Sequence, residues 1–93
     1  ASREERAAAL SRATGCVVLL KGAGTLVAEP GGSLTVNTSG NPRLATAGTG
    51  DVLSGVIGAL LANGLAAPAA TRLGAFLHGL AADIYDDLRI ILL

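Results

Sequence analysis

The sequence changes abruptly from a polar, glycine-rich segment to an apolar one at residue 51, and this change most constrains the fold. Residues 38–50 read Thr-Ser-Gly-Asn-Pro-Arg-Leu-Ala-Thr-Ala-Gly-Thr-Gly, and the positions that follow are small or apolar as far as residue 62. This pattern predicts a long loop that leads directly into a buried helix from about Asp51 to Ala62. Asp51 is the only charged residue between Arg43 and Arg72. The fold must therefore accommodate one isolated carboxylate at the start of an apolar helix.

The rest of the chain alternates between helical and strand-like patterns, as in an α/β domain. A capping box at Ser2 and Glu5 begins the first helix and Gly15 ends it, while the run from Cys16 to Leu20 is typical of a strand buried on both faces. A parallel sheet needs more strands than these, so residues 1–93 are expected to form one partial domain, the second half of a larger α/β domain. The expected elements are helices at 2–13, 51–62 and 68–87, strands at 16–20, 26–29 and 34–37, and a strand-like tail at 88–93.

Composition excludes several classes of partner. The chain has 93 residues, 7 basic and 7 acidic side chains and only 2% aromatic residues, so it has neither a basic excess nor a stacking platform for nucleic acid. Residues 52–70 are apolar but are broken by Asn63, Gly64 and Pro68, which favours buried helices over a membrane span. Cys16 is the single cysteine, so no intrachain disulfide is expected. No basic segment followed by an apolar one opens the sequence, so no signal peptide is expected. We therefore expect a cytoplasmic protein without nucleic-acid or membrane partners.

Asp51 is the first candidate for chemistry. A helix N-terminus carries unpaired N–H groups and a partial positive charge, and glycines at positions 48 and 50 allow a ligand to approach the backbone closely. The run Gly48-Thr49-Gly50 is thus expected to form an anion cradle, with Asp51 placed to take a proton from a nearby hydroxyl. The alternative is that Asp51 only stabilises the helix N-terminus as an acidic residue of the first turn. The Gly-Lys-[Ser/Thr] ending of a Walker P-loop is absent from this run.

The chain's only lysine is the second candidate, because it follows the apolar run directly. Ligands of open α/β sheets bind beyond the carboxyl ends of parallel strands, so a charge, backbone N–H groups and a hydroxyl here could meet a nucleotide. A solvated charge beside a turn is the alternative. The residues concerned are Lys21, Gly22, Ala23, Gly24 and Thr25.

Other polar side chains receive weaker predictions. Asn41, Thr46 and Thr49 provide polar groups in a loop long enough to suggest function. His78 lies among apolar residues of the last helix and is interpreted as a packed side chain, and Asp83 as part of a solvated face. No His, Cys or Glu constellation has the spacing of a metal site, and Cys16 in an apolar strand is expected to be unreactive.

Three segments together resemble the ADP/ATP-dependent NAD(P)H-hydrate dehydratases, which are ribokinase-like proteins that repair hydrated nicotinamide cofactors. Gly-Thr-Gly-Asp alone indicates the wider ribokinase-like superfamily, whereas Asn-Pro-x-Leu-Ala-Thr-x-Gly-Thr-Gly-Asp-Val-Leu-Ser-Gly is more specific. The resemblance extends from about Cys16 to Asp83, and it implies the C-terminal portion of a ribokinase-like three-layer α/β/α fold. The family's N-terminal half has no counterpart here and the sequence departs from the pattern after Asp83, which predicts a fragment. The segments are residues 18–25, 40–55 and 74–83.

The resemblance also implies a reaction and a role for particular residues. Asp51 would be the base acting on the ring hydroxyl of the hydrated nicotinamide and would contact the substrate together with Asn41. Phosphorylation of that hydroxyl and loss of phosphate would restore NADH or NADPH, with ADP or ATP as co-substrate and Mg²⁺ as cofactor. The anion hole would be formed by Gly48, Thr49 and Gly50, and the adenine-nucleotide contact by residues 21–25 together with Gly50.

Two other functions stay open at this point. A related kinase of a small heterocyclic alcohol, of the thiamin-precursor type, would use the same Asp51 chemistry. A non-catalytic truncated half-domain would instead persist as a homo-oligomer or bind nucleotide without turnover. A small-residue stripe at Gly55, Gly58, Ala59 and Ala62 is compatible with close approach of another element.

Overall fold

A computed structural model describes residues 2–22, 24–41 and 48–88 of the chain. Three predicted features lie outside these residues: the nucleotide contact at Ala23, the part of the loop at residues 42–47, and the tail after residue 88.

The first helix, α1 (Arg3–Thr14), is defined by local hydrogen bonds at both ends. The Ser2 hydroxyl accepts the Glu5 N–H at 3.1 Å, and the Glu5 carboxylate accepts the Ser2 N–H at 3.4 Å, which completes the predicted capping box. At the other end Gly15 adopts the left-handed conformation, with a φ of 70°, and its N–H bonds to the Ser11 carbonyl at 2.9 Å. Both predicted helix boundaries are confirmed.

Three short strands form an antiparallel sheet in the order β1-β2-β3: β1 (Val18–Leu20), β2 (Thr25–Ala28) and β3 (Leu34–Asn37). The predicted turn at residues 30–32 joins β2 to β3, closed by a 2.9 Å hydrogen bond from the Glu29 N–H to the Ser33 carbonyl. The antiparallel hairpin of β2 and β3 that the Gly-containing turn predicts is confirmed. The expectation of a parallel neighbour for β1 is wrong among the described strands, because β2 follows β1 through a short connection and pairs antiparallel with it. The expected burial of β1 on both faces is also wrong within the described part of the chain, since β1 is half-buried and β2 is the buried strand.

Two helices complete the described structure: α2 (Thr49–Ala62) and α3 (Ala67–Leu88). Helix α2 begins two residues before the predicted start, so Asp51 lies within its first turn. The two helices pack where α3 has a glycine: a Cβ on Gly74 would lie 2.6 Å from Cγ1 of Ile57. Gly55 and Gly58 of the small-residue stripe have no described neighbour within 4 Å of a Cβ, so the stripe is not the contact with α3.

The core lies between β2, α1 and α3. Helix α1 packs on β1 and β2, and α3 packs on α2, β2 and β3. Ser11 is buried in this core, where its hydroxyl contacts the Cys16 carbonyl at 2.6 Å and the Ala28 carbonyl at 3.2 Å. Cys16 itself precedes β1 and is exposed, so its predicted position inside a buried strand is wrong. The buried apolar residues are Ala7, Leu26, Val27, Ala28, Leu53, Ala70, Ala75 and Ala82.

Candidate active site

The N-terminus of α2 is the centre of the candidate site. Gly48 is its N-cap residue, in a left-handed conformation with a φ of 92° that favours glycine, and it provides no side-chain acceptor for the first N–H groups. Asp51 lies in the first turn and is exposed. The helix thus presents N–H groups, its positive dipole end and a solvent-accessible carboxylate in one turn, which are the elements needed to bind an anion and accept a proton.

Lys21 is brought to this helix end from the strand that precedes it. Its ammonium donates to the Thr49 hydroxyl at 3.3 Å, and a Cβ placed on Gly50 would lie 3.4 Å from the same nitrogen. The contact spans 28 residues of sequence. It joins the predicted nucleotide contact that begins at Lys21 to the predicted anion cradle before Asp51. A cation and a helix dipole therefore act on the same small volume beside Asp51, and their roles toward a ligand stay predictions.

The chain around Lys21 is held by three further hydrogen bonds. Arg3 donates to the carbonyls of Leu20 and Lys21, each at 3.5 Å, and the Thr25 hydroxyl donates to the Gly22 carbonyl at 3.3 Å. A Cβ on Gly22 would lie 2.8 Å from the Arg3 guanidinium, and the φ of 149° at Gly22 is one that residues with a Cβ rarely adopt. These contacts fix the path of the chain after β1, from which Lys21 reaches α2.

His78 reaches the same helix end from α3. Burial lowers the pKa of His78 below its ordinary value of 6.5, the positive charge of Lys21 lowers it further, and a hydrogen bond to the Thr49 backbone opposes both effects. The half-buried imidazole therefore favours its neutral form beside Lys21. The interpretation of His78 as a packed residue agrees with its half-burial and its hydrogen bond, but the sequence did not indicate that it lies beside the start of α2.

Asp83 binds the start of the glycine-rich loop. One carboxylate oxygen accepts the Gly40 N–H at 2.9 Å, and the other accepts the side-chain amide of Asn41 at 2.9 Å. The interpretation of Asp83 as part of a solvated face is wrong, because the residue is half-buried and uses both oxygens. Asn41 does lie in the loop that leads to α2, but the described contact of its amide nitrogen is with Asp83, and its contact with a substrate stays a prediction.

A glycine within α3 allows this close contact, and it was the one signal in the sequence that could have revealed it. A Cβ on Gly79 would lie 2.7 Å from the Ser39 carbonyl carbon and 2.8 Å from the Gly40 nitrogen. A glycine inside a helical pattern lowers helix stability, so it often marks a close approach of another backbone. His78 adjoins this glycine and Asp83 lies one helical turn beyond it.

Comparison with known proteins identifies the family. The family model described as NAD(P)H-hydrate dehydratase matches residues 1–91. The chain belongs to the NAD(P)H-hydrate dehydratase family. It is 51% identical over 89 residues to the bifunctional NAD(P)H-hydrate repair enzyme Nnr of Thermofilum pendens, which covers 96% of this chain and 17% of that protein. It is 55% identical over 73 residues to the ADP-dependent (S)-NAD(P)H-hydrate dehydratase of Neisseria meningitidis serogroup B, covering 78% of this chain and 25% of that protein.

The fold agrees with the sequence match. A crystal structure of the ADP/ATP-dependent NAD(P)H-hydrate dehydratase of Bacillus subtilis, co-crystallised with ATP/Mg²⁺ and soaked with CoA, matches with a TM-score of 0.84 at 35% identity. The match covers 98% of this chain and 35% of that structure. The α/β arrangement of this chain is thus part of the ribokinase-like fold of the NAD(P)H-hydrate dehydratases. The chain spans between about a sixth and a third of the lengths of these relatives.

Proposed function

We propose that this chain carries part of the active site of an ADP/ATP-dependent NAD(P)H-hydrate dehydratase, which converts hydrated NADH or NADPH back to the intact cofactor. Asp51 is the proposed general base and substrate contact, assisted in substrate binding by Asn41. The first turn of α2, at Gly48, Thr49 and Gly50, is the proposed anion hole. Lys21 to Thr25 and Gly50 are the proposed contacts of the adenine nucleotide.

One observation carries this proposal: the Lys21 ammonium lies 3.3 Å from the Thr49 hydroxyl, in the turn that contains the exposed Asp51. Phosphoryl transfer requires positioning and charge stabilisation more than covalent chemistry from the protein. A cation, a helix dipole and backbone N–H groups stabilise the transferred phosphoryl group, while the carboxylate accepts the proton of the attacking hydroxyl.

The proposed reaction has two steps, transfer of a phosphoryl group to the ring hydroxyl and elimination of phosphate. The ring hydroxyl loses its proton to Asp51, and its oxygen bonds to the terminal phosphorus of the nucleotide as the bond to the leaving AMP or ADP breaks. The carbon–oxygen bond then breaks, the oxygen leaves as phosphate with the electron pair, and loss of a proton from the adjacent carbon restores the ring double bond. The sum is hydrated cofactor plus nucleotide giving cofactor, phosphate and the shorter nucleotide.

Mg²⁺ fits this site as an ion carried mainly by the nucleotide. Among the described residues no group of three or more His, Cys, Asp or Glu side chains lies close enough to hold a metal by itself. Protein-bound Mg²⁺ commonly uses few protein ligands and several substrate phosphate oxygens, so the nucleotide would hold the ion here and Asp51 would remain available as the base. The ion, when bound, neutralises charge on the transferred phosphoryl group.

Assembly and location complete the proposal. Apolar side chains recur along one face of α3, and they are exposed at Leu73, Phe76, Leu77, Leu80 and Ile84. Such a face is normally covered by protein, here either by the rest of the domain or by a second copy. Our proposal is a homo-oligomer, and sedimentation of the full-length protein tests it. We place the enzyme in the cytoplasm because its proposed substrates, nicotinamide cofactors and adenine nucleotides, are cytoplasmic metabolites. In the part of the chain that the structure describes, no helix is long and apolar enough to cross a membrane.

The decisive experiment supplies hydrated NADH with ADP or ATP to the full-length natural protein and follows the absorbance of NADH. We expect NADH to return in proportion to the phosphate released. The Asp51→Asn variant is expected to lose turnover by a factor of at least about 100, because it removes the base, while ADP affinity changes little. Full turnover in this variant would refute the assignment of Asp51 as base.

The same experiment separates the other two functions. A stable phosphorylated alcohol, instead of NADH, would indicate a kinase of a small heterocyclic alcohol. Nucleotide binding without any turnover by the full-length protein would indicate the non-catalytic alternative.

A further inference from the structure

Helix α3 holds the chain as it leaves β3. The Asn37 side-chain amide donates to the Ala75 carbonyl at 3.1 Å, and the Ser39 hydroxyl donates to the Phe76 carbonyl at 3.0 Å. Gly79 allows the Ser39 and Gly40 backbone to approach the helix more closely than a side chain would permit. The exit of β3 is thus attached to one side of α3 over successive residues.

Asp83 ends this series of contacts with the only charged group in it. Its two oxygens each accept one 2.9 Å hydrogen bond, from the Gly40 N–H and from the Asn41 amide. Hydrogen bonds to an ionised acceptor are about twice as strong as neutral ones. Both partners of Asp83 are donors, so the carboxylate satisfies both as they stand. An amide at position 83 would offer Gly40 a neutral acceptor, and it would keep the second bond only with the Asn41 amide turned over.

The loop that begins at this clamp ends in the proposed anion hole. The chain leaves the clamp at Asn41 and enters α2 through Gly48. At that far end Thr49 contacts Lys21 and His78, and His78 lies only five positions before Asp83 on the same helix. One helix therefore contacts both ends of the segment that carries the anion hole.

We propose that Asp83 is a positioning residue: by fixing Gly40 and Asn41 to α3, it holds the chain where it leaves β3, and this attachment supports the placement of Gly48, Thr49 and Gly50 around the transferred phosphoryl group. This inference rests on the proposed function for its catalytic consequence, whereas the clamp itself can be measured without turnover. Asp83 does not touch the reacting atoms and acts through the backbone that it holds.

The test compares Asp83→Asn with a matched control in the full-length protein. The control is Glu29→Gln, the same carboxylate-to-amide change in a 2.6 Å ion pair that joins Arg72 of α3 to the residue after β2. We expect Asp83→Asn to lower kcat by about 10- to 100-fold, because small displacements of a positioned group have effects of this size. The KM for the hydrated cofactor should change less than kcat, and the control should retain both constants.

A second pair of measurements separates the clamp from the reaction. Amide exchange at Gly40 is expected to be faster in Asp83→Asn and unchanged in Glu29→Gln. The double variant Asn41→Asp with Asp83→Asn exchanges the two groups, so the new amide can accept from Gly40 and donate to the new carboxylate. Slow Gly40 exchange should recover in it, whereas kcat is compared only between Asp83→Asn and Glu29→Gln, because Asn41 is a proposed substrate contact.

Two results would overturn the inference. One is unchanged Gly40 exchange in Asp83→Ala, which has no side-chain acceptor for Gly40 or Asn41; this would mean that the clamp does not hold the end of β3. The other is faster exchange with unchanged kcat, which would mean that the clamp does not position the anion hole. Absence of turnover in the unmodified protein would overturn the proposed function instead. The inference would then be decided by two binding-state measurements. Gly40 exchange should be faster in Asp83→Asn, and the variant should lose more affinity for ADP than for AMP.

Discussion

Replacing Gly79 by alanine is expected to destabilise the protein, although alanine is the better helix residue. The new Cβ would contact the Ser39 hydroxyl and would lie 2.7 Å from the Ser39 carbonyl carbon and 2.8 Å from the Gly40 nitrogen. Carbon atoms pack comfortably at about 3.5–4.0 Å, so the exit of β3 must move away from α3. Two of the three atoms belong to backbone, which a side-chain rotation cannot relieve.

The expected magnitude is the difference between two opposing effects. A glycine-to-alanine change inside a helix gains about 1 kcal/mol in helix propensity. Inserting a methyl group into a closely packed contact costs about 1–3 kcal/mol, and the upper end applies where backbone must shift. We expect a net loss of about 1–2 kcal/mol in the free energy of unfolding.

Equilibrium urea unfolding followed by circular dichroism measures this loss, with Gly58→Ala as the matched control. Gly58 is also helical, is exposed, and has no described atom within 4 Å of a Cβ, so alanine there should stabilise by about 0.5–1 kcal/mol. With a urea m-value of about 1–3 kcal/mol/M, the midpoint of Gly79→Ala should lie roughly 1 M below that of Gly58→Ala. Equal midpoints would refute the argument that α3 and the exit of β3 are in close contact.

Three further outcomes are expected from the contacts around His78 and Ser11. Lys21→Met should raise the pKa of His78, because a positive charge no longer opposes protonation; the single histidine of the chain gives an unambiguous NMR titration, and an unchanged pKa would contradict the contact. Since folding lowers the pKa of His78, the unfolded chain binds the proton more readily, so the free energy of unfolding should fall as the pH drops below about 6.5 and level off below the folded-state pKa. In His78→Gln, the free energy of unfolding measured in urea across pH 5–8 should not show this decline. If the decline persists in this variant, other groups cause it. Ser11→Ala should destabilise by about 1–3 kcal/mol, because the carbonyls of Cys16 and Ala28 lose a buried donor, and a neutral result would show that water replaces the hydroxyl.

Local structure was predictable from the sequence because it depends on contacts between residues a few positions apart. The capping box of Ser2 and Glu5 joins residues three positions apart, and the Gly15 cap bonds to a carbonyl four positions earlier. The turn between β2 and β3 and the approximate start of α2 follow from equally local patterns. The prediction of Asp51 in a solvent-accessible helix first turn is of the same kind and is confirmed as a position.

The pairing and burial of β1 were not predictable in this way. The apolar run before Lys21 is typical of a strand buried on both faces in a parallel sheet, but the described strands pair antiparallel and β1 is half-buried. Whether an apolar strand is covered depends on the elements that pack on it, and a run of side chains in one strand carries no information about them.

The sequence by itself determined the helix ends and the turn, because their hydrogen bonds close within one or two turns of chain, and it placed Asp51 at the start of α2. Tertiary structure decided what surrounds that carboxylate. The Lys21–Thr49 contact spans 28 residues, and the two bonds of Asp83 span 43 and 42. A lysine after a strand and an aspartate on a helix are ordinary surface residues until packing of α3 on the sheet and on α2 brings them to the loop. That packing depends on burial of apolar surface summed over the whole domain, so no local pattern contains it.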